Sequence, residues 1–109
     1  MAIDYDRYVY DLCHHMGIHP RDVLGDNRFH NIHEVRQIVY LMLSRLGLKN
    51  REIALIVQRD RTTVLHGLRI VQRKMNEPHF AEKVKRAEMV SYRTSRSNEP
   101  VRPVLPAPA

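Results

Sequence analysis

Between Ile32 and Leu46 the chain is apolar around nearly the whole circumference of a helix. Val35, Ile38, Val39, Met42 and Leu46 form one stripe, and Tyr40, Leu41 and Leu43 fill its flanks. A helix with that pattern has no face for water, so other elements must enclose it. A chain of 109 residues has room for a single core. The remaining segments therefore have to wrap this central helix, and each shows one apolar side with which to do so. Tyr5, Tyr8, Val9, Leu12 and Met16 predict an amphipathic first helix stopped by Gly17. His19-Pro20-Arg21-Asp22-Val23-Leu24 predicts a short helix with Pro20 at its first position, ending before Gly25. Residues 25–31 read as a polar loop, and Gly47 ends the central helix. No period-2 alternation suggests a strand and no internal repeat is present, so the expected class is all-α, a small bundle of five or six helices.

The segment after Gly47 carries the chemistry. Asn50 is positioned to cap a short helix over Arg51 to about Val57, with Ile53, Ile56 and Val57 inward and Ala54 small enough for a close crossing. Gln58-Arg59 reads as a tight turn. A longer helix follows from Asp60, whose carboxylate can accept from the free N–H groups of the first turn. Val64, Leu68, Val71 and Met75 form its core stripe, while Thr62, His66, Arg69 and Arg73 share the opposite face. A short helix, a tight turn and a longer basic helix predict a helix-turn-helix. The outer face offers a hydroxyl, an imidazole and two guanidiniums, which are groups that read base edges and hold phosphates. Pro78 opens a last helix bearing Phe80, Val84 and Ala87, expected to end near Tyr92. Residues 1–92 are thus expected to form one DNA-binding domain. Residues 93–109, with four prolines and three arginines, are expected to be a disordered tail.

Charge agrees with this division. The formal net charge is +6, yet residues 1–48 sum to −1, residues 49–75 to +5 and residues 76–109 to +2. The excess lies on the helix-turn-helix segment, as a footprint on a polyanion requires. No apolar run reaches the roughly 18 residues of a membrane span. The acidic start Met1-Ala2-Ile3-Asp4-Tyr5-Asp6 lacks the basic and apolar regions of a signal peptide. The single Cys13 cannot pair within the chain, so a reducing cytoplasm is expected, at the bacterial nucleoid or, for a phage protein, in its host. Cys13 reads as a small apolar residue of the first helix. Seven histidines include His14-His15 and His30-x-x-His33, but no cysteine or carboxylate completes a four-ligand zinc pattern, and no metal or other cofactor is expected.

The stretch Glu34-Val35-Arg36-Gln37-Ile38 through Asp60-Arg61-Thr62-Thr63-Val64-Leu65-His66-Gly67 resembles the C-terminal DNA-binding domain of the bacterial replication initiator DnaA. That family's signature is close to Asp-His-Thr-Thr-Val-Leu-His-Ala, and the run Thr62 to His66 matches it without interruption. The resemblance covers roughly residues 5–92. It implies a Trp-repressor-like helical fold that binds double-stranded DNA at short asymmetric boxes, without catalysis. It also implies that Asp60 accepts from an adenine or cytosine amino group and that Thr62 and Thr63 meet thymine and phosphate. Arg28, found by counting back without gaps, would be the arginine that enters the minor groove. Around this core, Arg59 is expected at a phosphate, His66 at a phosphate or base, Lys49 and Arg51 where backbone phosphates pass, and Arg69 further along the backbone.

Three features depart from the family. Arg61 stands where it has histidine, and arginine can make a bidentate contact to guanine, which opens a different base preference at that position of the box. The loops at Gly47–Lys49 and Gln58–Arg59 are each one residue shorter. No G-x-x-x-x-G-K-S/T sequence occurs, so there is no nucleotide-binding module of that kind. The same domain serves two roles: occupying initiator-type boxes at a replication origin, or regulating transcription as a phage or mobile-element protein. A reading of another class is an adaptor that recruits a protein partner through Pro100-Val101-Arg102-Pro103 in the tail. RNA binding is a further alternative. No heptad seam marks a strong dimer, so a monomer or weak dimer is expected.

Overall fold

The computed structural model describes residues 3–25, 29–94 and 97–101, the residues from 93 onward by their backbone alone. Six α-helices make up the described body: α1 (Tyr5–His15), α2 (Pro20–Leu24), α3 (His30–Arg45), α4 (Asn50–Val57), α5 (Arg61–Lys74) and α6 (Pro78–Glu88). The all-α reading holds. Central α3 is enclosed as its sequence demanded, with α1, α2, α4, α5 and α6 all packed on it. Ile38, Val39, Met42 and Leu43 of α3 meet Tyr8 and Leu12 of α1, Ile53 and Val57 of α4, Val64 and Val71 of α5, and Phe80 and Val84 of α6 in one core.

Local chemistry fixes the ends of these helices. Asp4 caps α1 by accepting from the Arg7 N–H at 3.0 Å, and Gly17 leaves it with a φ of +75°. His19 caps α2 through Nδ1, which accepts from the Arg21 N–H at 3.0 Å. Asn50 is not the cap of α4. That position falls on Lys49, whose N–H donates to the Glu52 carboxylate at 2.9 Å, so the reaching side chain belongs to the third residue of the helix. At the other end of α4, Gln58 turns the chain in the left-handed region, with φ 58° and ψ 45°.

Sequence periodicity concealed two things. Glu34, Arg36 and Gln37 are buried in α3 beside the apolar residues. The Arg36 guanidinium donates to the carbonyls of Val23 at 2.8 Å, Asp22 at 3.1 Å and Gly25 at 3.2 Å, closing the C-terminal end of α2. Glu34 accepts from Lys83 Nζ at 2.7 Å, with His79 at 3.4 Å, His30 at 3.7 Å and Lys74 at 3.8 Å around it. Burial favours its protonated form, but the Lys83 hydrogen bond and the charges of Lys83, Lys74 and His30 outweigh that and hold its pKa below the usual value.

The chain also forms strands, where none was expected. Their order is β1-β2-β3, with β1 (Ile3–Asp4) antiparallel to β2 (Tyr92–Thr94), and β2 antiparallel to β3 (Ser97–Val101). Segments of two to five residues are too short to show a period. Pro100 sits in β3, an outer strand, where its missing N–H is tolerated. Of the segment expected to be a tail, the end of Tyr92–Thr94 and all of Ser97–Val101 take strand backbone, and residues 95–96 and 102–109 lie outside the described residues. No helix among the described residues is long and apolar enough to cross a membrane.

Candidate nucleic-acid interface

The helix-turn-helix lies in α4, the left-handed Gln58, and α5. Asp60 is the N-cap of α5: its Oδ1 accepts from the Thr63 N–H at 2.9 Å. Hydrogen bonds from the Thr63 side chain and backbone lower the Asp60 pKa, so the carboxylate is ionised at neutral pH. Capping leaves Asp60 exposed. Arg61, Thr62 and Thr63 on the first turn, His66 one turn on and Arg69 beyond are exposed as well. Val64 and Val71 are buried on the opposite side, with Leu68 and Met75 half-buried, so the division read from the sequence is the one observed. Lys49 and Arg51 are exposed at the start of α4.

Several cations are paired within the fold. Arg7 pairs with Asp11, Arg45 with Glu88, and Lys74 and Lys83 with Glu34. Among the described residues no ion pair engages Lys49, Arg51, Arg59, Arg61 or Arg69. These uncompensated charges belong to the segment carrying the sequence's basic excess, which is the condition for drawing a polyanion to this part of the molecule.

Arg59 makes contacts within the fold that the sequence did not suggest. Its guanidinium donates to the Leu24 carbonyl at 3.0 Å, to its neighbour Gln58 at 3.1 Å and to the Gly25 carbonyl. Together with Arg36 it binds the end of α2, so the turn of the helix-turn-helix is joined to the stem of the loop after Gly25. Arg36, an arginine inside a helix whose sequence predicts enclosure, was the available signal, since a buried guanidinium must find several acceptors. Arg28, expected in that loop, lies outside the described residues.

Gly67, where the family's signature has alanine, meets α3 at close range. A Cβ there would fall 2.7 and 2.8 Å from Cδ2 and Cε2 of Tyr40. The glycine lets the recognition helix settle against a full tyrosine ring. Burial raises the Tyr40 pKa, although the charges of Arg36 and Arg59 act against the rise. His33, exposed on α3, is held toward the neutral imidazole by partial burial and by Arg36 and Lys74. Cys13 is buried and its thiol is pushed up to about 11, so it is protonated at neutral pH and plays no part here. No group of three or more histidine, cysteine or carboxylate side chains among the described residues is arranged for a metal ion.

A short helix, a left-handed turn and a longer helix with polar and cationic groups on its exposed first turn define a helix-turn-helix domain of the DNA-binding class. The family described as bacterial dnaA protein helix-turn-helix matches residues 10–71, and the chain belongs to that family. It is a non-catalytic DNA-binding domain family. No curated protein and no solved structure matches the chain.

Proposed function

We propose that this protein binds double-stranded DNA sequence-specifically at replication-initiator-type boxes, through base contacts from the first turn of α5. The observation that carries this reading is the exposed set Asp60, Arg61, Thr62 and Thr63 at the N-terminus of a helix whose opposite face is locked in the core. In this reading Thr62 and Thr63 meet thymine methyls and phosphate, Arg61 a guanine edge and Asp60 a base amino group. Lys49, Arg51, His66 and Arg69 hold the backbone, and Arg28 enters the minor groove. Arg59 acts indirectly, by holding the loop stem against the turn.

The test is fluorescence anisotropy with a duplex carrying the box TTATCCACA and with a shuffled duplex, across a salt series. The box is expected to bind more tightly, and Thr62→Ala is expected to erase the preference while leaving nonspecific affinity in place. Arg28→Ala should weaken box binding. Equal binding of both duplexes with a steep salt dependence would remove the assignment of this box.

A further inference from the structure

Phe29 opens the central helix α3 and is 71% exposed. It suits neither its helix nor water. An N-cap position calls for a side-chain acceptor, which a phenyl ring lacks, and no side-chain hydrogen bond caps α3. The backbone, at φ −60° and ψ 142°, is one that serine or aspartate adopts freely, so local geometry does not require the ring. Single exposed apolar residues are common, and exposure alone decides nothing. Position does. The Phe29 carbonyl accepts from the His33 N–H at 3.0 Å, one turn into α3, and His33 lines a cleft with Arg59, Thr63 and His66. Gly25, four residues before Phe29, accepts from Arg59, the neighbour of the α5 cap. The start of α3 therefore lies beside the first turns of the recognition helix. Met89 is 72% exposed too, but it follows Glu88, which pairs with Arg45 at the far end of α3. A helix of 16 residues is about 24 Å long, so the two stand far apart.

We propose that Phe29 is a DNA contact, its ring packed on deoxyribose and base edges of the groove wall beside the recognition helix. This inference rests on the DNA-binding function proposed above. Between its phosphates a duplex offers apolar surface on its sugars and groove edges, against which a phenylalanine can pack. The surroundings of the ring suit that partner. His30, Asn31 and His33 are polar and exposed. Residues 29–33 carry no carboxylate, and Glu34 is buried and held by Lys83 and Lys74, so this turn does not repel phosphates. The contact is apolar, so it adds affinity without releasing a counterion.

The experiment is anisotropy of the full chain across a salt series, on whichever of the two duplexes above the wild type binds more tightly. Phe29→Ala is expected to weaken binding roughly five- to tenfold, with the slope of log K against log salt unchanged. Phe29→Leu, which keeps the apolar bulk, should stay within about twofold of wild type, and Met89→Ala should match wild type. Phe29→Ser separates contact from structure. Serine supplies the missing cap and is expected to raise the urea midpoint, yet to lower DNA affinity as alanine does. A benzophenone amino acid placed at position 29 is expected to cross-link to the duplex on irradiation, and one at position 89 is not. The inference is overturned by unchanged DNA affinity in Phe29→Ala, by an equal loss in Met89→Ala, by a reduced salt slope, by a loss in Phe29→Ser that comes with lower stability, or by the absence of a cross-link at position 29. A wild type that binds neither duplex overturns the proposed function, and this inference falls with it. A wild type that binds both alike removes only the box and leaves the Phe29 comparison intact.

Discussion

Arg61 and Thr62 stand exposed on the first turn of α5, and the rest of that turn is organised to keep them there. Asp60 ties the helix start to Thr63, and Val64 anchors the turn in the core. Arg61 is the exposed residue at which this chain departs from the motif it resembles. If it reads guanine, Arg61→His is expected to move the preference toward the family's box. A discriminating contact of about 1–3 kcal/mol corresponds to a roughly 5- to 100-fold change in the affinity ratio between the two boxes. A competition between TTATCCACA and the wild-type protein's best selected sequence measures that ratio. Equal weakening on both sequences, with a shallower salt dependence, would instead make Arg61 a phosphate contact.

At the level of elements, the placement of α5 depends on a close approach and a clip. The close approach is Gly67 on Tyr40. Alanine would favour the helix by about 1 kcal/mol, but its methyl would fall within 2.8 Å of a buried ring that must then shift. Gly67→Ala is therefore expected to destabilise the fold by about 1–2 kcal/mol net. Pairing it with Tyr40→Leu should recover part of the loss, and urea unfolding of the two single variants and the double variant reads this non-additivity. The clip is Arg59. Arg59→Ala leaves α2 carbonyls with one donor fewer, and is expected to cost about 1–2 kcal/mol of stability. Its effect on DNA separates positioning from contact. Affinity should fall with the slope of log K against log salt unchanged, whereas Lys49→Ala or Arg69→Ala should lower that slope by about one. A reduced slope for Arg59→Ala would restore it as a phosphate contact.

Across the whole molecule, Glu34 joins α3 to Lys74 of α5 and Lys83 of α6. Its pKa is lower folded than unfolded, so the stability it supplies is fully present above the unfolded value of about 4.3 and is lost as pH falls through the folded value. Glu34→Gln is expected to cost about 1–2 kcal/mol at pH 7, less than for a fully enclosed pair because both lysines can turn toward solvent. The difference from wild type should vanish toward pH 3, and urea midpoints at the two pH values measure it. An unchanged difference at low pH would mean that shape, not charge, makes Glu34 important. The helices themselves were legible in the sequence because local rules set them: apolar periodicity marked their faces, and Pro20, Pro78, Asp60 and the glycines marked several ends. The helix-turn-helix was legible for the same reason, being contiguous and carrying its chemistry in adjacent residues. Short strands pairing the two ends of the chain carried no such periodic signal. The partners of Glu34, Arg36 and Arg59, and the fit of Gly67 to Tyr40, were decided only by the tertiary structure. Each joins residues on different helices, and the choice of partner for a buried charge depends on which carbonyls and side chains packing brings within about 3 Å, a distance that no sequence spacing encodes.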